Sequence, residues 1–139
     1  MSLSLIALLG FAAWTLFLLV AIIAPYRVGR VLSGHAKSDS WTRGRAIEDP
    51  AFIQRVSGAQ ANCLENLPIV AAVILVAAVS GQSAITDCLA LWLLAARIGQ
   101  SLSHMISVHH LMIFFVRFPL FLIQVAILVY WFLALANVI

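Results

Sequence analysis

Residues 55–79, RVSGAQANCLENLPIVAAVILVAAV, pass from a polar stretch straight into an unbroken apolar one. Charged and amide groups are expensive to place beside a membrane-spanning segment, so those that occur there are candidates for function. The polar half carries Arg55, Gln60, Asn62, Glu65 and Asn66. The apolar half, 69–79, joins it to make a segment long enough to span.

Working outward, the rest of the chain has the same character. Of its 139 residues 64% are hydrophobic and only 9% are charged. Soluble domains carry roughly a quarter charged residues, so this composition reads as an all-α integral membrane protein of one domain. The expected helices are 3–24, 49–80, 84–107 and 119–137, a four-helix bundle with a polar loop at 26–48. Pro25 should end the first helix, because proline cannot donate to the preceding turn. Pro119 suits a first helical turn. The N-terminal apolar run is too long for a signal segment and lacks a basic start, so it reads as a retained span.

The basic residues set the expected orientation. Arg27, Arg30, Lys37, Arg43, Arg45 and Arg55 all fall between spans one and two, and Arg117 falls between spans three and four. The turn at 81–83 carries none. The positive-inside rule places both basic regions in the cytoplasm and both termini on the opposite side. No charged tail points to a nucleic acid.

Helical spacing groups the polar residues. With about 100° per residue, Arg55, Gly58, Asn62, Glu65 and Asn66 share a stripe, and Gln60 points elsewhere. In span three, Arg97, Gln100, Ser101, His104 and Ser107 share another. Polar stripes in membrane helices are often structural glue, and Arg97 could simply pair with Glu65. Two stripes at one depth instead suit a pocket for a small zwitterionic or anionic ligand: arginines for carboxylates, Glu65 for an ammonium, asparagines for peptide groups. His109 and His110 point about 100° apart, and the sequence places no third ligand, so no metal site is expected. Cys63 and Cys88 read as small buried thiols. The four tryptophans read as packing or interface anchors. No nucleophile elbow supports a hydrolytic triad.

The motif RVSGAQANCLENLP resembles the signature of the membrane-associated proteins of eicosanoid and glutathione metabolism, the MAPEG family, which includes the microsomal glutathione transferases and leukotriene-C synthase. Tyr26–Arg27 closing span one and Ala96–Arg97 in span three add to the likeness. The resemblance implies a homotrimer of four-helix protomers, with glutathione as co-substrate between adjacent protomers near the cytoplasmic face. It implies glutathione contacts for Arg27, Gln60, Asn62 and Glu65. Arg55, Arg97 and His104, on the two stripes, complete the candidate binding set. Arg117 is the candidate for stabilising the thiolate. Gly58 stands where many members have arginine, and His104 where a tyrosine is expected. The implied function is that of a membrane glutathione transferase or peroxidase, whose thiolate attacks lipophilic electrophiles or lipid hydroperoxides. The alternative is a non-catalytic scaffold of the same fold that binds lipid or glutathione. A transporter would need inverted repeats or paired broken helices, and the sequence shows neither.

Overall fold

The computed structural model of the chain describes residues 1–42, 48–137 and 139. Arg43 and Arg45, counted above in the basic loop, lie outside the described residues. Four helices are each long and apolar enough to cross a membrane: α1 (Leu3–Leu32), α2 (Ala51–Val79), α3 (Ser83–Ile106) and α4 (His110–Leu135). The described residues contain no strand. The protein is an all-α, multi-pass integral membrane protein.

Two helices are longer than the sequence suggests, for one shared reason. The first does not stop at Pro25 but continues to Leu32, and the fourth begins at His110, nine residues before Pro119. In each, a π-helical segment ends two residues before the proline, at Leu18–Ile23 and Ile113–Arg117. There the Ala24 N–H donates to Leu19 O and the Phe118 N–H to Ile113 O, five residues back. A proline removes one donor and crowds the carbonyl four residues earlier. The wider turn relieves that crowding, so the helix passes the proline rather than breaking. The polar loop therefore begins at Ser33, not at residue 26. α2 also runs unbroken through Pro68.

The central helix is α3, which packs against α1, α2 and α4. Phe11, Leu18, Val56, Cys63, Ile74, Leu93 and Trp131 fill the space between helices. Large apolar side chains such as Leu16, Val20, Leu75, Val76, Trp92 and Phe132 face outward, as lipid-facing surface requires. Cys63 is buried, as expected, but Cys88 is exposed on α3. At the α2–α3 turn, the Gln82 N–H reaches Ala77 O at 2.8 Å, and Gly81 takes φ +72°. This left-handed glycine closes the helix and lets a three-residue turn reverse the chain. Nearby, the Asp87 carboxylate accepts the Ser4 N–H at 2.7 Å, tying the start of α1 to the start of α3. At the opposite end, Tyr26 Oη and Trp41 Nε1 both donate to Asp49, which fastens the loop to the foot of α2.

Candidate functional site

The polar stripes of α2 and α3 face each other, with Asn62 and Arg97 at their meeting point. Arg97 is 1% exposed, and its guanidinium lies 5.3 Å from the centre of the Phe11 ring. One terminal nitrogen donates to Asn62 Oδ1. Its Nε is buried and finds no acceptor among the described residues. Arginine has only donors, so Asn62 must turn its oxygen inward. Its amide NH2 then faces away from Arg97 as an unused donor. One turn along, Asn66 Nδ2 donates to Asn62 O at 2.8 Å and holds the same segment. The Arg97–Glu65 pair that the sequence allowed does not form. Glu65 is exposed, and its carboxylate bonds to none of the described residues.

Behind this contact lies a small buried network. Ser101 Oγ donates to Arg97 O at 3.0 Å and sits 3.3 Å from Cys63 Sγ. These groups satisfy one another, so Ser101 belongs to the helix–helix contact rather than to a pocket wall. Gln100 also leaves the stripe. Its Oε1 accepts from Gln124 Nε2 at 2.9 Å, and Gln124 donates again to Leu120 O. This buried amide pair joins α3 to α4. Gln124 is the one polar side chain in the apolar run 118–129, a mark that the sequence itself carries.

Toward the foot of α2, the expected residues close around the end of α3. His104 packs on Gly58. A Cβ added at Gly58 would lie 3.0 Å from His104 Cε1 and 3.1 Å from Nε2. Any larger residue there would press on the ring, which would have to give way slightly. Arg55 Nε donates to Met105 O at 2.7 Å, and one Arg117 terminal nitrogen donates to Ser107 O at 2.8 Å. Both arginines thus bind carbonyls that the end of α3 leaves open, where positive charge is favoured. Arg117 Nε is buried without an acceptor among the described residues. Although Arg117 sits in a π-helical turn some 50 residues beyond the motif, the fold brings it to the end of α3, at the carbonyl three residues past His104.

The remaining candidates stand apart from this cluster. Arg27 lies over the Trp41 ring at 5.5 Å and lines a cleft of about 420 Å³ with Val28, Val31 and Leu32. Gln60 is half-buried, and its side chain bonds to none of the described residues. The rings of His109 and His110 lie tilted at 34° to each other, 4.4 Å between centres, and both residues are exposed.

In chemical terms, α2 offers an amide donor at Asn62 and unpaired side chains at Glu65 and Gln60, while Arg55 of α2 and Arg117 of α4 keep donors beyond those given to the end of α3. No curated protein and no solved structure is similar enough to match the chain. The family model described as MAPEG family, however, matches residues 4–137, nearly its whole length. The protein therefore belongs to the MAPEG family, whose membership marks it as a membrane protein of glutathione or eicosanoid metabolism.

Proposed function

We propose that the protein is a glutathione-dependent transferase or peroxidase of the bilayer, working as a homotrimer with its basic end in the cytoplasm. The observation that carries this reading is the Arg97–Asn62 contact, which fixes a donor on a face that also holds an unpaired carboxylate. Glutathione has two carboxylates, one ammonium and two peptide groups. Asn62, Arg55 and Gln60 suit its carboxylates and amides, and Glu65 suits its ammonium. Arg97 acts from behind, by orienting Asn62. Arg27 would reach the ligand from the cytoplasmic rim. The unpaired Glu65 on an outward face fits a ligand held between protomers, since a lone carboxylate against lipid is costly.

Arg117 supports the thiolate, because a nearby cation favours the ionised sulfur and the ionised sulfur is the nucleophile. The electrophile, being lipophilic, enters from the bilayer. A second reading has its own support. Arg55 and Arg117 each spend a donor on the α3 terminus, as they would in a scaffold that binds glutathione or lipid without turnover.

Glutathione titration of the purified protein decides the first question. Wild type binds, and Asn62→Ala and Glu65→Ala bind about tenfold or more weakly, as loss of a charged hydrogen bond implies. Unchanged affinity in both variants removes the site. Conjugation of a chlorinated nitrobenzene and reduction of a lipid hydroperoxide then separate enzyme from scaffold.

A further inference from the structure

We propose that His104 is the general base that takes the proton from the bound thiol. This rests on the glutathione reading above and adds a step to it. Arg117 can stabilise a thiolate, but a guanidinium has no lone pair to accept a proton. A neutral imidazole has one acceptor nitrogen. His104 is the group at the foot of the site that has this capacity and has not spent it. Neither ring nitrogen makes a hydrogen bond with the described residues. The polar groups around it bond elsewhere: Arg55 donates to Met105 O, Ser103 Oγ to Gln100 O, and Arg117 to Ser107 O.

Packing holds the ring in one place. The imidazole lies against Gly58 on α2 so closely that a Cβ there would come within 3.0 Å of Cε1 and 3.1 Å of Nε2, which holds the ring against the facing helix. The ring is half-buried, so one edge stays open to a ligand. The charged group that acts on it is Arg117, from α4. Arg55, from α2, lies one residue along at Met105 O. No carboxylate from α1, α2, α3 or α4 bonds to the ring, so the proton has no competing fixed partner.

The step balances simply. The S–H bond breaks, its electron pair stays on sulfur, and the proton forms a bond to the free imidazole nitrogen. Arg117 faces the sulfur anion. The thiolate then bonds to the electrophilic carbon, the leaving group departs with its electron pair, and the imidazolium returns its proton to water.

The test uses His104→Ala and His104→Gln in the full-length protein. Bound thiolate is followed by its ultraviolet absorbance across pH. Binding is measured separately with a glutathione analogue that carries a sulfonate in place of the thiol. Analogue affinity should stay within about threefold of wild type, since little of the ligand's charge pairing involves His104. Conjugation should fall by about 10²-fold, the usual worth of a placed base. Added imidazole should restore part of the His104→Ala rate, and restore nothing in His104→Gln, where the space is filled. Wild-type rates and thiolate titration in both variants overturn the proposal. So does loss of analogue binding in both, which would make His104 a ligand contact instead. If wild type fails to bind the analogue, the glutathione reading itself falls, and this step falls with it.

Discussion

Arg97 of α3 donates to Asn62 Oδ1 of α2, so the contact joins a buried cation to an amide rather than to a carboxylate. A buried guanidinium with an amide partner keeps most of its charge uncompensated. The Phe11 ring supplies some compensation, worth about 0.5–2 kcal/mol. Arg97→Lys is therefore not conservative. Lysine lacks the planar fork that both stacks on Phe11 and aims at Asn62. Glutathione affinity should fall about tenfold in Arg97→Lys, with the bundle still folded, because Asn62 is freed to rotate. A calorimetric titration and a circular dichroism spectrum check the two halves of this expectation.

Gly58→Ala tests the fit between α2 and His104. Alanine favours a helix over glycine by about 1 kcal/mol, so the substitution alone should not harm stability. The new methyl would meet the imidazole at 3.0 Å, and the ring must move. The thermal midpoint should change little while conjugation falls. A variant that keeps full activity would show that the ring position has no bearing on the chemistry.

The Gln100–Gln124 pair should behave as interhelical glue. Gln124→Leu strands the Gln100 amide in an apolar contact, and the double variant Gln100→Leu/Gln124→Leu does not. A cycle of the three variants should give a coupling of about 0.6–1.7 kcal/mol, the range found for such bonds in membranes. Glutathione affinity should be unaffected, since both amides are occupied by each other.

The contrast between these positions explains how much the sequence could tell. Composition, the apolar runs and the positions of the helices near residues 49–80 and 84–107 were legible, because burial in lipid demands uniform apolar length. Helical angles put Asn62 and Arg97 each on a polar stripe of its own helix. The angles could not say which neighbour each residue meets. Gln100 lies on the Arg97 stripe yet turns to α4, and Glu65 lies on the Asn62 stripe yet faces outward. A stripe about 100° wide touches two neighbours, and only packing divides it. The helix ends at Pro25 and Pro119 were misplaced because a π-turn before a proline has no simple sequence mark. Gly58 and His104, which looked like two separate departures from a motif, are one structural feature.

Asp87→Ala addresses the other end of the bundle. It removes the acceptor of the Ser4 N–H at the first turn of α1. Loss of such a cap costs about 1 kcal/mol. Asp87→Asn keeps an acceptor and should cost less. Glutathione affinity should not change in either, because the cap lies at the opposite end from His104 and Arg117. A matching loss of affinity would mean that the anchoring of α1 controls the site.

Glu65 permits the most direct assignment of a ligand group. Its carboxylate is exposed on α2 between outward-facing Leu64 and Ile69, and no described residue pairs with it. If the glutathione ammonium is its partner, removing either member should remove the same interaction. Glu65→Gln should weaken glutathione by about tenfold, and wild type should bind a glutathione analogue without the free amine about tenfold less well. The variant and the analogue together should cost little more than either alone, because the second loss has nothing left to break. Additive losses would instead place the ammonium elsewhere. Glu65 would then be answering a group on a neighbouring protomer, and its substitution should shift the oligomeric state measured in detergent rather than the affinity for the amine.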